Sequence, residues 1–283
     1  MEADTSFKTE KTLTSHLAKS QYYRWYQLYE RPMNKQRVDN QMELLADNVT
    51  IKSAAGIMNG EANYPERLEV YKGWKNAHHV QQVSFIKNEG KNKLKADIKY
   101  QNIQPDGKKA SYTIDYEMEF EDFSNELPLL TEVVITPTGE SDEEFEDAYP
   151  KNRVNSLMYF WLANMEQLNG NVTPFKEMLT DDFELNFSTG TINTLQELET
   201  WLNDAPKQLN QSSHHPENLS IKVIDDTTYQ VSVSFDWYGI AKNGKRMKAK
   251  THHEWIVIDD TNDRFARIKS ANVKQIENLT VIN

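Results

Sequence analysis

The stretch Leu44-Leu45-Ala46-Asp47-Asn48-Val49-Thr50-Ile51 has a second copy in Met178-Leu179-Thr180-Asp181-Asp182-Phe183-Glu184-Leu185. In each, the apolar end of a helical pattern runs through acidic or amide residues into an alternating, strand-like pattern. Two further landmarks repeat in the same order. Asp47 and Asp181 lie 134 residues apart, the doublets His78-His79 and His214-His215 lie 136 apart, and Gly107 and Gly244 lie 137 apart. A period above 100 residues is too long for a solenoid and implies one domain made twice.

Working outward, the same programme reads off both halves. Residues 1–15 form a flexible polar tail. Leu17, Tyr22, Trp25, Tyr26 and Tyr29 recur at helical spacing up to Pro32, and a second helix covers about Lys35 to Leu45. A third opens at Tyr64-Pro65-Glu66. Strands follow. Leu94, Ala96, Ile98 and Tyr100 alternate with Lys93, Lys95, Asp97 and Lys99. Asp106-Gly107 turns the chain, and Tyr112, Ile114, Tyr116, Met118 and Phe120 alternate on the return. Pairing across that turn sets lysines against Glu117 and Glu119 on a wet face, so these acids are cross-strand partners and not a catalytic cluster. The second half repeats this with an aromatic helix from Val154 to Leu168, a short helix at Pro174 to Leu179, a third helix from Leu195 to Leu202 and a hairpin at Asn243-Gly244. The expected organisation is a first domain over 16–137, an acidic linker over 138–152 and a second domain over 153–283.

Composition narrows the function classes. The 283 residues carry a net charge of −11, and the linker holds six acids against one Lys. No basic cluster suits a phosphate backbone, so nucleic acid is not an expected partner. Lys242 to Lys248 reads as a solvated hairpin tip. No apolar run reaches the length of a membrane span, and no leader pattern is visible, so the expected location is the cytoplasm. The chain has no Cys, which removes disulfides and thiolate chemistry. It carries no Gly-rich phosphate loop and no Gly-x-Ser-x-Gly elbow, and no cofactor is expected.

Helix, helix, strand, helix and then antiparallel strands is an α+β order. With the Leu-Leu-Ala-Asp-Asn-Val entry and a His ahead of the long strands, each half resembles the nuclear transport factor 2-like superfamily, in its SnoaL-like polyketide cyclase and dehydratase flavour. The resemblance implies two tandem cone-shaped domains, each a curved antiparallel sheet wrapped around three helices and holding an apolar pocket. Tyr22, Tyr26, Trp74, Tyr116, Trp161, Trp237 and Trp255 are the expected pocket residues, and the ligand is a small apolar organic molecule. It also implies a pseudo-dimer formed within the chain.

Candidate chemistry rests on histidine, which exchanges protons near neutral pH. One member of each doublet, His78 or His79 and His214 or His215, should face inward. His79 and His215 are assigned with His253, which is in phase with Trp255 and Val257. Dehydratase-like relatives pair such a His with an acid near the end of the first helix. Counting back from the Leu-Ala-Asp landmark, that place falls on Asn34 and Asn169, and an amide cannot do a carboxylate's work. Glu30 and Asp39 are the nearby acids. Neighbouring His residues point to opposite sides of a strand, so no metal site is expected. Three readings follow: a ligand-binding protein without a complete dyad, a lyase or isomerase using a pocket His as base, and an assembly module with filled interiors. A carboxylate within about 3 Å of a pocket His separates the second from the first.

Overall fold

A computed structural model describes residues 12–88, 91–121, 123, 127–204 and 206–282. Of the tail expected over 1–15, residues 1–11 lie outside the described residues, and helix α1 begins at Leu13. The chain divides into two compact units that do not follow the halves of the sequence. The first unit is Leu17–Ser156 with Thr261–Arg264, and the second holds the other described residues, from His16 back and from Leu157 on. Buried Arg153 explains the outlying piece of the first unit: its guanidinium donates to Gln27 Oε1 (2.6 Å) and to the carbonyls of Asp263 and Arg264 (2.9 Å each).

The first repeat runs α1 (Leu13–Gln27), α2 (Lys35–Met42), β1 (Leu45–Ser53), β2 (Gly56–Asn59), α3 (Tyr64–Leu68), then β3 (Lys75–Asn88), β4 (Lys91–Ile103), β5 (Lys109–Phe120) and β6 (Leu130–Glu140). The second runs α4 (Tyr149–Glu166), a 3₁₀ turn (Thr173–Glu177), β7 (Leu179–Phe187), β8 (Gly190–Ile192), α5 (Leu195–Leu202), β9 (Leu209–Asp225), β10 (Thr228–Ala241), β11 (Arg246–Ile258) and β12 (Arg267–Ile282). Each builds a six-stranded sheet, in the orders β2-β1-β6-β5-β4-β3 and β8-β7-β12-β11-β10-β9. The repetition reaches single bonds. Leu130 N donates to Leu44 O and Ile268 N to Met178 O, both at 2.7 Å, where the last strand of each sheet meets the duplicated stretch.

The cone of purely antiparallel strands expected from the sequence is not what forms. β1 runs parallel to β6, and β7 to β12, so both sheets are mixed. Each is also open, with β2 and β3 at the edges of one and β8 and β9 at the edges of the other, so neither sheet closes or curls into a cone. Hairpins dictate direction only between strands they join. No hairpin joins β1 to β6, and an inside/outside alternation carries no information about direction. Among the described residues the second repeat also has two α-helices where three were expected, its short middle element being 3₁₀ with Pro174 in the first turn.

The hairpins themselves follow the alternation. Leu94, Ala96 and Ile98 sit opposite Met118, Tyr116 and Ile114 on the buried row. On the other face Lys93 meets Glu117 and Glu119 at 2.9 and 3.1 Å, and Lys95 meets Glu117 at 2.7 Å. Gly107 and Gly244 occupy the same turn position with φ of +86° and +83°, a region that costs most other residues strain. No helix among the described residues is long and apolar enough to cross a membrane.

Candidate functional site

The end of α1 leads directly to the site. Its helical bonding continues past Gln27, with Tyr29 N and Glu30 N both donating to Tyr26 O, and this final turn aims Glu30 inward. The Glu30 side chain has no exposed surface. Its Oε1 accepts from His78 N (2.8 Å), His78 Nδ1 (3.0 Å) and Asn152 Nδ2 (2.9 Å), and Asn152 Nδ2 also donates to His78 O (2.9 Å). A carboxylate oxygen only accepts, so Nδ1 carries the imidazole proton and Nε2 is left as the basic nitrogen. The ring is fixed from both sides, stacked on Tyr26 at 4.5 Å and tilted against Tyr100 at 5.0 Å.

His78 borders a cavity of about 480 Å³ in the first unit. Trp25, Tyr29, Trp74, Tyr100, Tyr112 and Tyr116 form most of its wall. Among the polar groups there, Asn76 is held by Tyr100, whose hydroxyl donates to Asn76 Oδ1 at 2.7 Å, and Asn76 Nδ2 donates to Tyr29 O at 2.8 Å. Burial raises the hydroxyls of Tyr29, Tyr100 and Tyr116 well above the usual tyrosine value. All three therefore stay protonated at neutral pH; Tyr100 gives its proton to Asn76 and the Tyr29 hydroxyl is bonded to that of Tyr64 at 2.5 Å, which leaves Tyr116 as the donor for a ligand. A cavity of this size suits a small organic molecule, with few polar groups to orient it.

The second unit contains the counterpart of the pair. Glu166 Oε1 accepts from His214 N (2.7 Å) and His214 Nδ1 (3.1 Å), and its Oε2 accepts from Thr12 Oγ1 (2.8 Å) and His16 Nδ1 (3.1 Å). Both Glu–His pairs are 48 residues apart in sequence. Burial alone would raise the Glu166 pKa, but the charge and hydrogen bond of His16, with the hydrogen bond of His214, outweigh it and lower it to about 2. The surroundings differ. Phe235 packs 4.7 Å from His253 and 6.4 Å from Trp255, and Trp161 meets Phe175 edge-on at 5.0 Å. Burial, then His214 and His252, lowers the His253 pKa to about 3, so this ring is neutral at pH 7.

Trp74 and Tyr116, among the residues singled out from the sequence, border the cavity with His78. Tyr26 lies behind the imidazole, and Tyr22 packs edge-on to Tyr26 at 5.1 Å. Trp161, Trp255 and His253 lie together in the second unit. Trp237 donates from Nε1 to Ser212 Oγ at 2.9 Å. His79 points away from His78, its Nε2 lying 3.2 Å from Gln101 Oε1 and 3.0 Å from Glu146 O, and His215 packs edge-on to Tyr238 at 5.6 Å. Asn34 caps α2, its Oδ1 accepting from Arg37 N at 3.0 Å, and Asn169 bonds Asn171 N in a loop. The carboxylates lie a few residues earlier, at Glu30 and Glu166. Their offset of 136 equals that of the His doublets, and this shared offset is the signal that identifies them. Among the described residues no three His, Asp or Glu side chains converge as a metal site would need.

No family model and no curated protein matches the chain. Among solved structures it is similar to a hexachlorocyclohexane dehydrochlorinase from Novosphingobium barchaimii, with 11% identity and a TM-score of 0.41 over 47% of this chain and 89% of that one. It is also similar to a nuclear transport factor 2-like superfamily protein from Salmonella enterica serovar Typhimurium, with 10% identity and a TM-score of 0.40 over 44% and 89%. The chemistry has to be argued from the side chains.

Proposed function

We propose that the first unit binds a small, largely apolar organic molecule in the aromatic cavity and moves a proton on it, with His78 as general base. The observation that carries this reading is the Glu30 Oε1–His78 Nδ1 contact of 3.0 Å at the wall of a cavity of about 480 Å³. Glu30 fixes the tautomer and stabilises the imidazolium that forms when Nε2 takes a proton. The protonated Tyr116 hydroxyl at the wall can donate to a carbonyl oxygen as negative charge builds there. Proton abstraction next to a carbonyl, followed by elimination or isomerisation, is the reaction class this arrangement suits.

The test is solvent exchange. The protein is incubated in D₂O with a panel of small aryl ketones, and loss of their α-hydrogen signals is followed by proton NMR. Exchange should exceed the buffer rate for at least one ketone, and His78→Gln should lower it by about 10²–10⁴-fold, the usual contribution of a positioned base. Equal exchange by wild type and His78→Gln would sink the reading.

A further inference from the structure

We infer that the ligand of this cavity carries an anionic group, a carboxylate, which Arg67 holds at the end of the cavity away from His78. The inference rests on the proposal above that the cavity is a ligand site, and it adds the substrate class. Histidine aside, Arg67 is the one ionisable cation or acid at the wall among the described residues, none of whose Asp, Glu or Lys borders the cavity. In a chain of net charge −11, several other part-buried cations have carboxylates. Arg31 pairs with Asp147, Lys93 with Glu117 and Lys250 with Glu217. Among the described residues Arg67 has no such partner. It makes one hydrogen bond, from Nη2 to Ser53 Oγ at 2.6 Å.

That bond takes one of the two hydrogens on Nη2 and leaves the other, with the Nη1 or Nε hydrogen beside it, to offer a fork that matches a carboxylate. A half-buried cation without a counter-charge gains the fold little, because its desolvation is not returned by an ion pair. The second unit shows that the position does not require charge. There the helix after the short edge strand is tied to the end of the first strand by Trp201, stacked on Phe187 at 4.8 Å with its Nε1 donating to Thr189 Oγ1 at 3.2 Å.

Placement separates the two ends of the ligand. Arg67 is held at the end of β1 through Ser53, and His78 lies on β3, with β6, β5 and β4 between them in the sheet order. The substrate class is therefore an aromatic or otherwise apolar carboxylate whose acid group is remote from the carbon that loses its proton.

Isothermal titration calorimetry with 2-naphthoate and its neutral isostere 2-naphthamide, at pH 7.5 on the full chain, tests this. Wild type should bind naphthoate about tenfold tighter than naphthamide, the scale of one charge-assisted contact. Arg67→Gln should abolish that preference while leaving naphthamide affinity within about twofold, and Arg67→Lys should restore part of it. Equal binding of the two probes by wild type overturns the anion site and leaves the cavity reading standing. So does an equal loss of both in Arg67→Gln, which would give Arg67 a purely structural role. Binding of neither probe overturns both.

Discussion

Glu30 concentrates three donors on one carboxylate oxygen, while its Oε2 is buried with no partner among the described residues. Glu30→Gln keeps an acceptor for the His78 and Asn152 hydrogen bonds. It also buries an amide N–H₂ where nothing accepts, and it removes the charge that steadies a protonated His78. The variant should lose about 10²–10⁴-fold in the exchange rate, and its urea midpoint should fall by an amount corresponding to about 1–3 kcal/mol, the cost of an unsatisfied buried group. Asn152→Ala separates the two effects. It strips a donor from both Glu30 and the His78 carbonyl but leaves the His–Glu contact, so its stability should fall while exchange persists. If exchange collapses as far as in Glu30→Gln, Asn152 shares the base's role and Glu30 alone does not explain it.

At the scale of elements, Gly239 in β10 illustrates how tightly the strands are fitted. A Cβ at this position would lie 2.4 Å from Cη2 of Trp237, whose indole folds back over the glycine while donating to Ser212. Gly239→Ala therefore forces the indole to move, and overpacking of this kind costs about 1–3 kcal/mol. Chemical denaturation should show that loss together with a shift in tryptophan emission. Unchanged stability would mean that the ring has room to swing. The elements themselves were largely legible: the helix from Leu195 to Leu202, the charge-laced pairing of β4 with β5 and both Gly turns follow from spacing alone. The parallel pairing of β1 with β6 was not, because local alternation says nothing about partners brought together from far along the chain. Of the aromatic residues singled out for a pocket, Trp74 and Tyr116 border the cavity, whereas Trp161 and Trp255 lie together in the second unit, where Phe235 packs against Trp255. His78 was hidden for a simpler reason. A doublet on a strand offers one ring to each face, and only the carboxylate at Glu30 reveals which ring it holds.

Over the whole chain the duplication has kept the Glu–His geometry twice and varied its surroundings, and the second unit's ionisations give that difference a measurable consequence. His253 has a folded pKa near 3, below its ordinary 6.5. Between those values the unfolded chain binds the extra proton, so stability falls as pH drops, by at most about 1.4 kcal/mol per pH unit for one site. Glu166, lowered from 4.5 to about 2, acts in a lower window. Its contribution is complete above pH 4.5 and is lost as pH falls toward 2, since the unfolded carboxyl protonates first. Urea unfolding across pH 7 to 2 should therefore show stability declining from about pH 6.5 and steepening below about pH 4.5. His253→Gln should flatten the upper part of that curve while leaving the lower part in place. Glu166→Gln should do the reverse, and it should also start less stable at pH 7 because two histidines and Thr12 lose their carboxylate. A wild-type curve that stays level down to pH 4.5 would show that His253 is as free to protonate in the folded chain as in the unfolded one, and the packing of Phe235 and Trp255 around it would then not be what keeps it neutral.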